Sequence, residues 1–409
     1  MASHGPSIAI VGGGLGGFAT AAALQKVGFD VEVFERTREL GEIGSGINVS
    51  QQAIKGLYAS GLAGRLDPIG NRIENQIHRS MYTGEQLSKT ELMRTDAVEG
   101  RFTAPYYAFH RRDLLDALAG AVDPSRVHLN HLLVDLSESK DGVELVFENG
   151  VRRTFDFVIG ADGIRSRVRE ALYGEQPAEF TGQVAWRALV SADVVGRDIL
   201  GPNVYSWVGK GSHVMTYYVR GREQVNLTTQ LDSDEWVGEG WSIPGDAEEL
   251  RAAFPELAPT LRKIIDSVDV TLKWGLFGRQ PSFDWGHGRV QLIGDAAHPM
   301  LPNAGQGASQ AFEDAYVLSR WLDAGRDDPE QAFASFRNVR IPRAHAVQRQ
   351  SLANSKLVHA GDWEQRQAAF EERKKSGDTP LGMSWIYDYE PEREWNIRQE
   401  YPLSTPLTL

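Results

Sequence analysis

The chain has 409 residues, which is long enough for two or three domains, and its 41% hydrophobic and 24% charged residues exclude a disordered or fibrous protein. It has 43 Lys and Arg residues against 55 Asp and Glu residues, so its net charge is −12. Without long basic runs, this charge argues against sequence-independent nucleic-acid binding. The absence of cysteine excludes disulfides, zinc fingers, cysteine-ligated iron–sulfur clusters and thiol nucleophiles, and no metal site is predicted.

The apolar start of the chain is a poor targeting segment. Residues 7–27 contain five glycines, and no Lys or Arg precedes them. A secretory signal needs a positive start before its apolar stretch, and a membrane-spanning helix needs about 20 bulkier residues. We therefore predict a cytoplasmic protein without a membrane partner.

The first elements alternate as strand, helix and strand. Ser7–Val11 is a predicted buried strand, Gly12–Gly17 a turn, Phe18–Val27 a helix and Asp30–Phe34 a second strand. This alternation predicts a parallel sheet with a right-handed crossover. An amphipathic helix is predicted at Asp113–Val122.

Strand patterns dominate the middle of the chain. Short alternating strands are predicted from about residue 127 to residue 158. Residues 181–275 carry β-branched and aromatic residues at period two, most clearly at 204–208 and 213–219, which predicts an antiparallel sheet lying over the first domain. A strand at 290–293 precedes helices at about 306–322 and 329–356, and the aromatic and acidic tail from Trp385 has no predicted role.

The first motif is Gly12-x-Gly14-x-x-Gly17, between a strand and a helix, with Glu35 at the end of the next strand. Gly12 permits the tight turn, Gly14 lets the backbone approach a pyrophosphate, and Gly17 lets the helix pack closely on the strand. In such a motif the phosphates of a dinucleotide lie at the helix N-terminus, and Glu35 can accept hydrogen bonds from its ribose. A glycine-rich turn without a ligand is the alternative.

Two further motifs follow apolar strands. Asp162 begins the segment Asp-Gly-Ile-Arg-Ser-Arg-Val-Arg, where it could equally cap a helix. Asp295 begins a segment that continues through Pro302 to Gly305-Gln306-Gly307, and its carboxylate could hold a ribose or ribityl hydroxyl. The glycines allow close backbone approach where a helix begins, and that helix end attracts an anion such as a reduced flavin.

In this order and spacing, the three motifs resemble those of the single-component flavoprotein aromatic hydroxylases. That group contains para-hydroxybenzoate hydroxylase, salicylate hydroxylase, 3-hydroxybenzoate 6-hydroxylase and 6-hydroxynicotinate 3-monooxygenase. The resemblance runs from about residue 7 to residue 347 and includes Gly44-x-Gly46-Ile47 and His110-Arg111-Arg-Asp-Leu114. It implies FAD as the cofactor and NADH or NADPH as a transient reductant bound near Asp162. No second GxGxxG between a strand and a helix is present, so a two-dinucleotide reductase is disfavoured.

The residues that the resemblance implies for FAD binding lie in the three motifs, at the end of the second strand and in the Gly44 and His110 segments. They are Gly12, Gly14, Leu15, Gly17, Glu35, Arg36, Asn48, Arg111, Asp162, Asp295, Pro302, Gly305, Gln306 and Gly307.

The fold class that the resemblance implies is α/β: a Rossmann-like FAD-binding domain with a parallel sheet, an antiparallel β-sheet substrate domain as in para-hydroxybenzoate hydroxylase, and C-terminal helices. The predicted boundaries are 1–75, 100–180 and 276–345 for the discontinuous FAD-binding domain, 76–99 and 181–275 for the substrate domain, and 346–409 for the C-terminal helical segment and tail.

The resemblance also implies a chemistry. In that family the reduced flavin and O2 form a C4a-hydroperoxide, whose outer oxygen attacks an electron-rich ring carbon. A base that removes the phenolic proton of the substrate makes the ring more nucleophilic. His213, Met215 and Tyr217 share one face of a predicted strand, and 3-hydroxybenzoate and 6-hydroxynicotinate hydroxylases carry a similar His and Tyr pair. We predict His213 as the base, Tyr217 as the partner of the phenolic oxygen and Met215 as a substrate contact.

Other interpretations stay open. His213 and Tyr217 could be ordinary packing residues, whereas Tyr218 faces the other way and is a control. His298 shapes the loop beside the flavin rather than transferring protons, and Arg187 either orients a substrate carboxylate or forms a structural ion pair. Asn48 and Asn303, where the 6-hydroxynicotinate enzymes have His, are expected to contact the substrate without titrating, so neither a pyridine nor a benzoate substrate is established.

The leading functional prediction is an FAD-dependent, NAD(P)H-consuming monooxygenase that hydroxylates a phenolic or hydroxypyridine carboxylic acid para to its ring oxygen, with loss of a carboxylate if the attacked carbon carries one. The expected partners are the small aromatic acid, O2 and a second copy of the chain in a homodimer. A flavin monooxygenase acting on a larger, non-acidic metabolite is the alternative. Halogenation or flavin-dependent reduction is disfavoured, because the halogenase Trp-x-Trp-x-Ile-Pro motif is only half present, with Glu239 in place of its first Trp before Trp241-Ser-Ile-Pro.

Overall fold

A computed structural model of the protein describes residues 6–41, 44–92, 104–236, 242–360, 363–375 and 378–392. The strands in this part of the chain are β1 (Ser7–Val11), β2 (Asp30–Phe34), β3 (Gly46–Val49), β4 (Asn71–Arg72), β5 (Asn75–Ser80), β6 (Gln86–Glu91), β7 (Tyr107–His110), β8 (Val127–His128), β9 (Leu133–Ser139), β10 (Gly142–Phe147), β11 (Arg152–Phe155), β12 (Phe157–Gly160), β13 (Glu179–Ser191), β14 (Asn203–Gly209), β15 (Ser212–Val219), β16 (Gln224–Asp232), β17 (Ser242–Gly245), β18 (Thr271–Gly278), β19 (Gly286–His287) and β20 (Val290–Leu292).

The helices in the same residues are α1 (Leu15–Lys26), α2 (Gln51–Ala59), α3 (Ala63–Leu66), α4 (Arg111–Ala119), α5 (Arg167–Tyr173), α6 (Ala192–Val195), α7 (Ala247–Ala253), α8 (Pro259–Asp266), α9 (Gly307–Ala324), α10 (Pro329–His359), α11 (Trp363–Lys375) and α12 (Ser384–Tyr387). None of these helices is long and apolar enough to cross a membrane.

A six-stranded sheet carries the glycine-rich turn. Its order is β19-β20-β12-β1-β2-β8, and β1 is parallel to both β2 and β12. Helix α1 contacts β1 and β2, and a three-stranded sheet of β9, β10 and β11 contacts β1 and β12. The six-stranded sheet is therefore covered, and β12 and β20 are fully buried without alternation. The predicted parallel sheet is confirmed, although α1 begins at Leu15, three residues before its predicted start, because Gly14 already accepts the first helical hydrogen bond from Phe18 N at 3.0 Å.

An eight-stranded sheet forms the second layer, in the order β17-β18-β13-β16-β15-β14-β5-β6. Its neighbours are antiparallel except for β14 and β5, which run parallel. One face packs on α7 and α8 through apolar residues such as Leu250, Leu261 and Ile265. On the opposite face, Val204, Tyr217 and Val219 pack with Tyr106 and Ala108 at β7, which belongs to the small sheet β3-β7-β4. The α/β class with an antiparallel second sheet is confirmed.

The hydrophobic clusters support two structural units. One cluster joins β1, β2, α1, α2, α4, β10, β12, β20, α9 and the first part of α10, whereas another joins β5, β13 to β16, α7 and α8. The exact domain boundaries given above stay a prediction. Residues 93–99 of the second unit, residues 393–409 of the tail, and Glu239 and Trp241 of the halogenase comparison lie outside the described residues.

A buried ion-pair network joins α9 and α10 to the loop after β20. Arg340 is fully buried, and it donates from Nη1 to Glu313 Oε2 at 2.6 Å and from Nε to Asp314 Oδ1 at 2.8 Å. Asp314 Oδ2 lies 2.6 Å from His298 Nε2 and accepts from Gly294 N at 2.9 Å. Burial alone would raise the pKa of Asp314, but the charges of His298 and Arg340 outweigh it and lower that pKa to about 2. This network therefore fixes the loop that carries Asp295.

Replacement of Arg340 by Lys is expected to lower the free energy of unfolding by about 2 kcal/mol, because Lys keeps the charge but cannot reach Glu313 and Asp314 with one planar fork. The measurement is urea unfolding followed by circular dichroism. The control is Arg197→Lys, whose pair with Asp193 is exposed on both sides and should change stability by no more than about 0.5 kcal/mol. Equal effects of the two substitutions would show that the buried network adds no more stability than a surface pair.

Candidate active site

Two adjoining cavities lie between the sheets. The larger has a volume of about 520 Å³ and follows the glycine-rich turn, and the smaller has about 360 Å³ and lies against the eight-stranded sheet. They share wall residues, namely Gly14, Arg111, Ala161, Gly163, Arg187, Asp295, Met300 and Pro302. Together they form one elongated space that a dinucleotide could occupy, with one of its two ring systems in each cavity.

The three glycines of the turn differ in the space around them. Gly12 has φ +111°, and a Cβ there would lie 2.4 Å from the carbonyl oxygen of Ala161. A Cβ on Gly17 would lie 1.9 Å from the carbonyl oxygen of Gly12, so the helix could not approach the strand. A Cβ on Gly14 would meet nothing within 4 Å. Gly12 and Gly17 are therefore required by the protein itself, whereas Gly14 leaves space for a ligand.

Glu35 stiffens this turn. Its Oε2 accepts from Gly13 N at 2.7 Å and its Oε1 accepts from Thr37 N at 2.9 Å. Glu35 and the exposed Arg36 also line the larger cavity. Each carboxylate oxygen has a second lone pair, so Glu35 keeps acceptor capacity for a ribose while it holds the turn.

The two carboxylates of the other motifs also face this space. Asp162 Oδ2 accepts from Arg167 N at 2.7 Å and from Val168 N at 3.2 Å, so one oxygen does serve the first turn of α5, next to the N-cap residue Ser166. Its Oδ1 is buried and has no hydrogen bond within the described residues, which leaves it for a ligand. Asp295 lines both cavities and is exposed to the space inside them. The protein around that space removes bulk water from its carboxylate, which raises the pKa of Asp295.

The N-terminus of α9 closes the smaller cavity. Pro302–Ala304 form a turn, Gly305 adopts the left-handed region with φ +62°, and the helix begins at Gly307. A Cβ on Gly307 would meet nothing within 4 Å. The first N–H groups of this 18-residue helix can therefore approach an anionic ring from close range. The Gln306 side chain points away, toward Ser50 and Gln52, so its own contribution to a ligand comes from the backbone.

β15 lines the far wall of the smaller cavity with His213, Met215 and Tyr217. His213 and Tyr217 are each only 4% exposed, and burial raises the pKa of Tyr217 well above its ordinary value, so its hydroxyl keeps its proton. Burial, with smaller effects of His359 and His78, holds the pKa of His213 well below 6.5. Tyr218 faces the opposite side, where its hydroxyl donates to the carbonyl oxygen of Gly196 at 2.6 Å.

Two amides in the cavity wall have unused hydrogen-bonding capacity. The side-chain atoms Asn48 Oδ1, Asn303 Oδ1 and Asn303 Nδ2 are buried and have no partner within the described residues. Buried polar groups are almost always satisfied, so these atoms are expected to bind a ligand. Arg187 lies at the junction of the two cavities, with its guanidinium 4.5 Å from the Trp274 ring centre. His298 lines neither cavity and is held by Asp314, which suits the loop-shaping interpretation.

Sequence reasoning missed the cavity residues that come from distant parts of the chain. Tyr106, Leu381, Met383 and Tyr387 line the smaller cavity. The Tyr106 and Tyr387 rings meet edge to face with their centres 6.1 Å apart. The aromatic richness of the tail was the available signal, but nothing in it gave the position. No group of three or more His, Asp or Glu side chains suited to a metal ion occurs in the described segments.

Comparisons with known proteins agree with this geometry. Residues 6–351 match the family described as FAD binding domain. The chain is 34% identical to 3-amino-4-hydroxybenzoate 2-monooxygenase of Streptomyces platensis over 390 residues, covering 95% of this chain and 98% of the relative. It is 33% identical to 6-hydroxynicotinate 3-monooxygenase of Bordetella bronchiseptica over 355 residues, covering 86% of this chain and 92% of the relative.

The fold comparison points the same way. A salicylate hydroxylase in complex with its substrate superposes with a TM-score of 0.81 at 24% identity, covering 97% of this chain and 98% of the other. At that identity the likeness speaks for the fold, and the relatives above speak for the family. The glycine-rich turn, the two adjoining cavities and these matches together show that the chain belongs to the FAD-dependent aromatic monooxygenases.

Proposed function

We propose that this enzyme uses NADH or NADPH and O2 to hydroxylate a phenolic or hydroxypyridine carboxylic acid para to its ring oxygen. The observation that carries the proposal is that His213 and Tyr217 face one small cavity, which continues into the cavity along the glycine-rich turn. The relatives named above act on small aromatic acids according to their names, which supports the same class of substrate.

The chain's residues fit FAD along this elongated space. Glu35 and Arg36 would hold the adenosine ribose, the backbone at Gly14 would meet the pyrophosphate, and Asp295 would accept from the ribityl hydroxyls. The N-terminus of α9 would stabilise the negative charge of the reduced ring. When bound and reduced, the flavin supplies the activation of O2 for transfer of one oxygen atom to the substrate.

The substrate chemistry falls to His213 and Tyr217. Because burial holds the pKa of His213 well below 6.5, the ring keeps an unprotonated nitrogen, Nε2, that can take the proton of the substrate's ring hydroxyl. The Tyr217 hydroxyl then donates a hydrogen bond to the resulting oxyanion and keeps it in place. An ionised ring oxygen raises electron density at the ortho and para carbons, which directs the transferred oxygen there.

The size of the cavity favours a small substrate. Ligand cavities span roughly 300–1,000 Å³, and this one, at about 360 Å³, must also hold part of the flavin ring. The remaining space suits one aromatic ring rather than a large polyketide. Arg187, at the junction of the cavities, is placed to attract a substrate carboxylate.

The test is oxidation of NADH and of NADPH by the FAD-loaded enzyme, with 3-amino-4-hydroxybenzoate, 3-hydroxybenzoate, 6-hydroxynicotinate and non-acidic phenols. Peroxide, hydroxylated product and released CO2 are scored separately, so that a decarboxylating hydroxylation is recognised. Stimulated oxidation coupled to product from an acid supports the proposal. Peroxide alone with every acid, or coupled product only from the non-acidic phenols, refutes the proposed substrate class.

Replacement of Tyr217 by Phe is expected to slow hydroxylation about 10-fold and to raise the share of peroxide, because the substrate oxyanion loses its hydrogen bond. FAD content should not change. The control is Tyr218→Phe on the opposite face, which removes the bond to Gly196 and should cost about 1 kcal/mol of stability without uncoupling. Uncoupling in Tyr218→Phe but not in Tyr217→Phe would reverse our assignment of the strand faces.

We expect kcat/KM to fall on the acid side of its pH profile with a midpoint below pH 6.5. Protonation removes the basic form of His213, and burial lowers the pKa of that group, so the base survives at pH values where a free imidazole has taken up a proton. The nearby titratable groups are His359, His78 and, beyond His359, Asp232. The measurement is kcat/KM for the best acid between pH 5 and pH 8. A limb centred at or above pH 6.5 would assign the base to another group.

A further inference from the structure

A row of hydrogen bonds leads from the substrate cavity to the protein surface. His213 Nδ1 lies 2.8 Å from His359 Nε2, and His359 Nδ1 lies 2.6 Å from Asp232 Oδ1. The side chain of His359 is 6% exposed, whereas that of Asp232 is 51% exposed. The row therefore begins at a buried ring that lines the cavity and ends at a carboxylate in contact with water.

The three side chains come from different elements that are fixed to one another. His213 lies on β15, Asp232 ends β16, and His359 is the last residue of α10. Asp232 N donates to the carbonyl oxygen of Gly211 at 2.9 Å, and Gly211 N donates to that of His359 at 3.2 Å. Gln183 Nε2 adds a bond of 3.0 Å to Asp232 Oδ1. The short distances are thus supported by the backbone around them.

The bonding partners determine which ring nitrogens carry protons. An ionised Asp232 can only accept a hydrogen bond, so Nδ1 of His359 carries the proton. That leaves Nε2 of His359 as an acceptor. Gln183 Nε2 also lies 3.1 Å from Nδ1 of His359. This amide group donates its hydrogens to Asp232 and to Ser355 Oγ instead. His359 Nε2 then accepts from His213 Nδ1, so His213 turns an unprotonated Nε2 to the cavity. That is the form a base needs.

We propose that His359 and Asp232 form, with His213, the path by which the proton of the substrate's hydroxyl reaches solvent. This inference rests on the proposed function, in which His213 takes that proton. Nε2 of His213 gains the substrate proton while its Nδ1 passes one to Nε2 of His359. Nδ1 of His359 in turn passes its proton to Asp232, which releases it to water, so the number of protons on each ring is unchanged.

The environment explains why a single histidine would not suffice. Burial lowers the pKa of His213, and His359 and His78 lower it further. Burial also lowers the pKa of His359, because the opposing effect of its bond to Asp232 does not outweigh burial and the charge of Arg366. A lasting imidazolium on either ring would therefore be costly. A path in which each ring gains a proton on one nitrogen and loses one from the other avoids that charge. His359 and Asp232 are positioning residues, since they act through His213.

The test begins without substrate. In the FAD-loaded protein labelled with ¹⁵N-histidine, we expect a strongly downfield N–H proton for His359 Nδ1 and an unprotonated Nε2 for His213. Asp232→Asn should abolish this pattern and Asp232→Glu should restore it. The control is His345→Gln, a buried histidine on α10 that contacts the Ser282 carbonyl oxygen at 3.0 Å and lines neither cavity.

The second measurement follows the proton itself. The FAD-loaded enzyme is mixed, without reductant, with 4-hydroxy-3-nitrobenzoate, whose phenol and phenolate absorb differently, in weak buffer with a pH indicator. His359→Gln and Asp232→Asn should slow ionisation of the bound probe about 10-fold or more, whereas Asp232→Glu and His345→Gln should not.

Each outcome decides between the two proposals. Unchanged ionisation in His359→Gln overturns the proton path. Spectra of the unmodified enzyme that lack the two tautomers overturn it as well. If the unmodified enzyme shows the tautomers but binds neither the probe nor any acid of the substrate panel, the proposed substrate class fails while the path from cavity to surface stands.

Discussion

Replacement of Gly14 by Val is expected to weaken FAD binding on the order of 1,000-fold while the fold survives. A Cβ at this position meets no protein atom within 4 Å, and Gly14 has φ −83° and ψ −174°, an extended conformation that Val adopts readily. The added side chain therefore enters the space above the turn, where the pyrophosphate would lie. The loss follows from displacement of the ligand and not from strain in the protein.

The measurement is the dissociation constant of FAD from flavin fluorescence, with circular dichroism to check the fold. The matched control is Gly64→Val in α3, where a Cβ also meets nothing within 4 Å but which lines neither cavity. Gly12→Ala should behave differently from both, since its Cβ would lie 2.4 Å from the Ala161 oxygen at φ +111° and would damage the fold itself. Normal FAD affinity in Gly14→Val would mean that the turn does not hold the cofactor.

The glycine-rich turn illustrates what could be predicted from the sequence. Its three glycines, the strand before them and the helix after them are neighbours along the chain, so local patterns predict them well. The helix start was missed by three residues because glycine disfavours a helix interior. Here Leu15, Gly16 and Gly17 are helical anyway, because the packing of α1 on α9 and the sheet outweighs that cost.

Residues that meet only through tertiary contacts could not be predicted in this way. β5 pairs in parallel with β14, which lies more than 100 residues later in the chain, and no periodicity shows which strand is the partner. The same holds at the site. His213 was predicted from the alternation that puts it on the same face as Tyr217 and from the resemblance to hydroxylases with a similar pair. His359 ends a helix 146 residues away and gave no signal in the sequence.

Tyr387 shows a further limit. The tail had a recognisable composition, yet composition does not say where a segment docks. In the structure Leu381, Met383 and Ile386 pack with Val208 and Val347, which brings Tyr387 to the cavity. The partners lie on β14 and α10, so the docking site is built from elements that are far apart in the sequence. This explains why the aromatic tail was predicted as a segment without a role.

Replacement of His213 by Ala is expected to slow hydroxylation about 100- to 1,000-fold, the usual contribution of a positioned base. NAD(P)H oxidation should continue, with peroxide as its main product, because His213 faces the substrate end of the elongated space and lines only the smaller cavity. The FAD content should stay normal for the same reason. Product, peroxide and bound flavin are measured on the same samples.

The control is another buried histidine in the same sheet. His78 on β5 is 1% exposed, its Nδ1 lies 2.8 Å from Ser88 Oγ, and it lines neither cavity. Burial lowers its pKa to about 4, so it resembles His213 in both environment and protonation. His78→Ala should cost stability through the cavity it leaves, as a truncated core side chain does, but it should keep product and peroxide in their normal proportion.

Chemical rescue separates a missing base from a damaged pocket. His213→Ala leaves space for a free imidazole beside His359, and added imidazole should restore part of the hydroxylation in this variant and in no other. Restoration would require a nitrogen base at that position, because a purely steric defect is not repaired by a small molecule that must also be held there. If imidazole has no effect while product remains close to that of the unmodified enzyme, His213 is a packing residue of β15, and the ring proton leaves the substrate by another route.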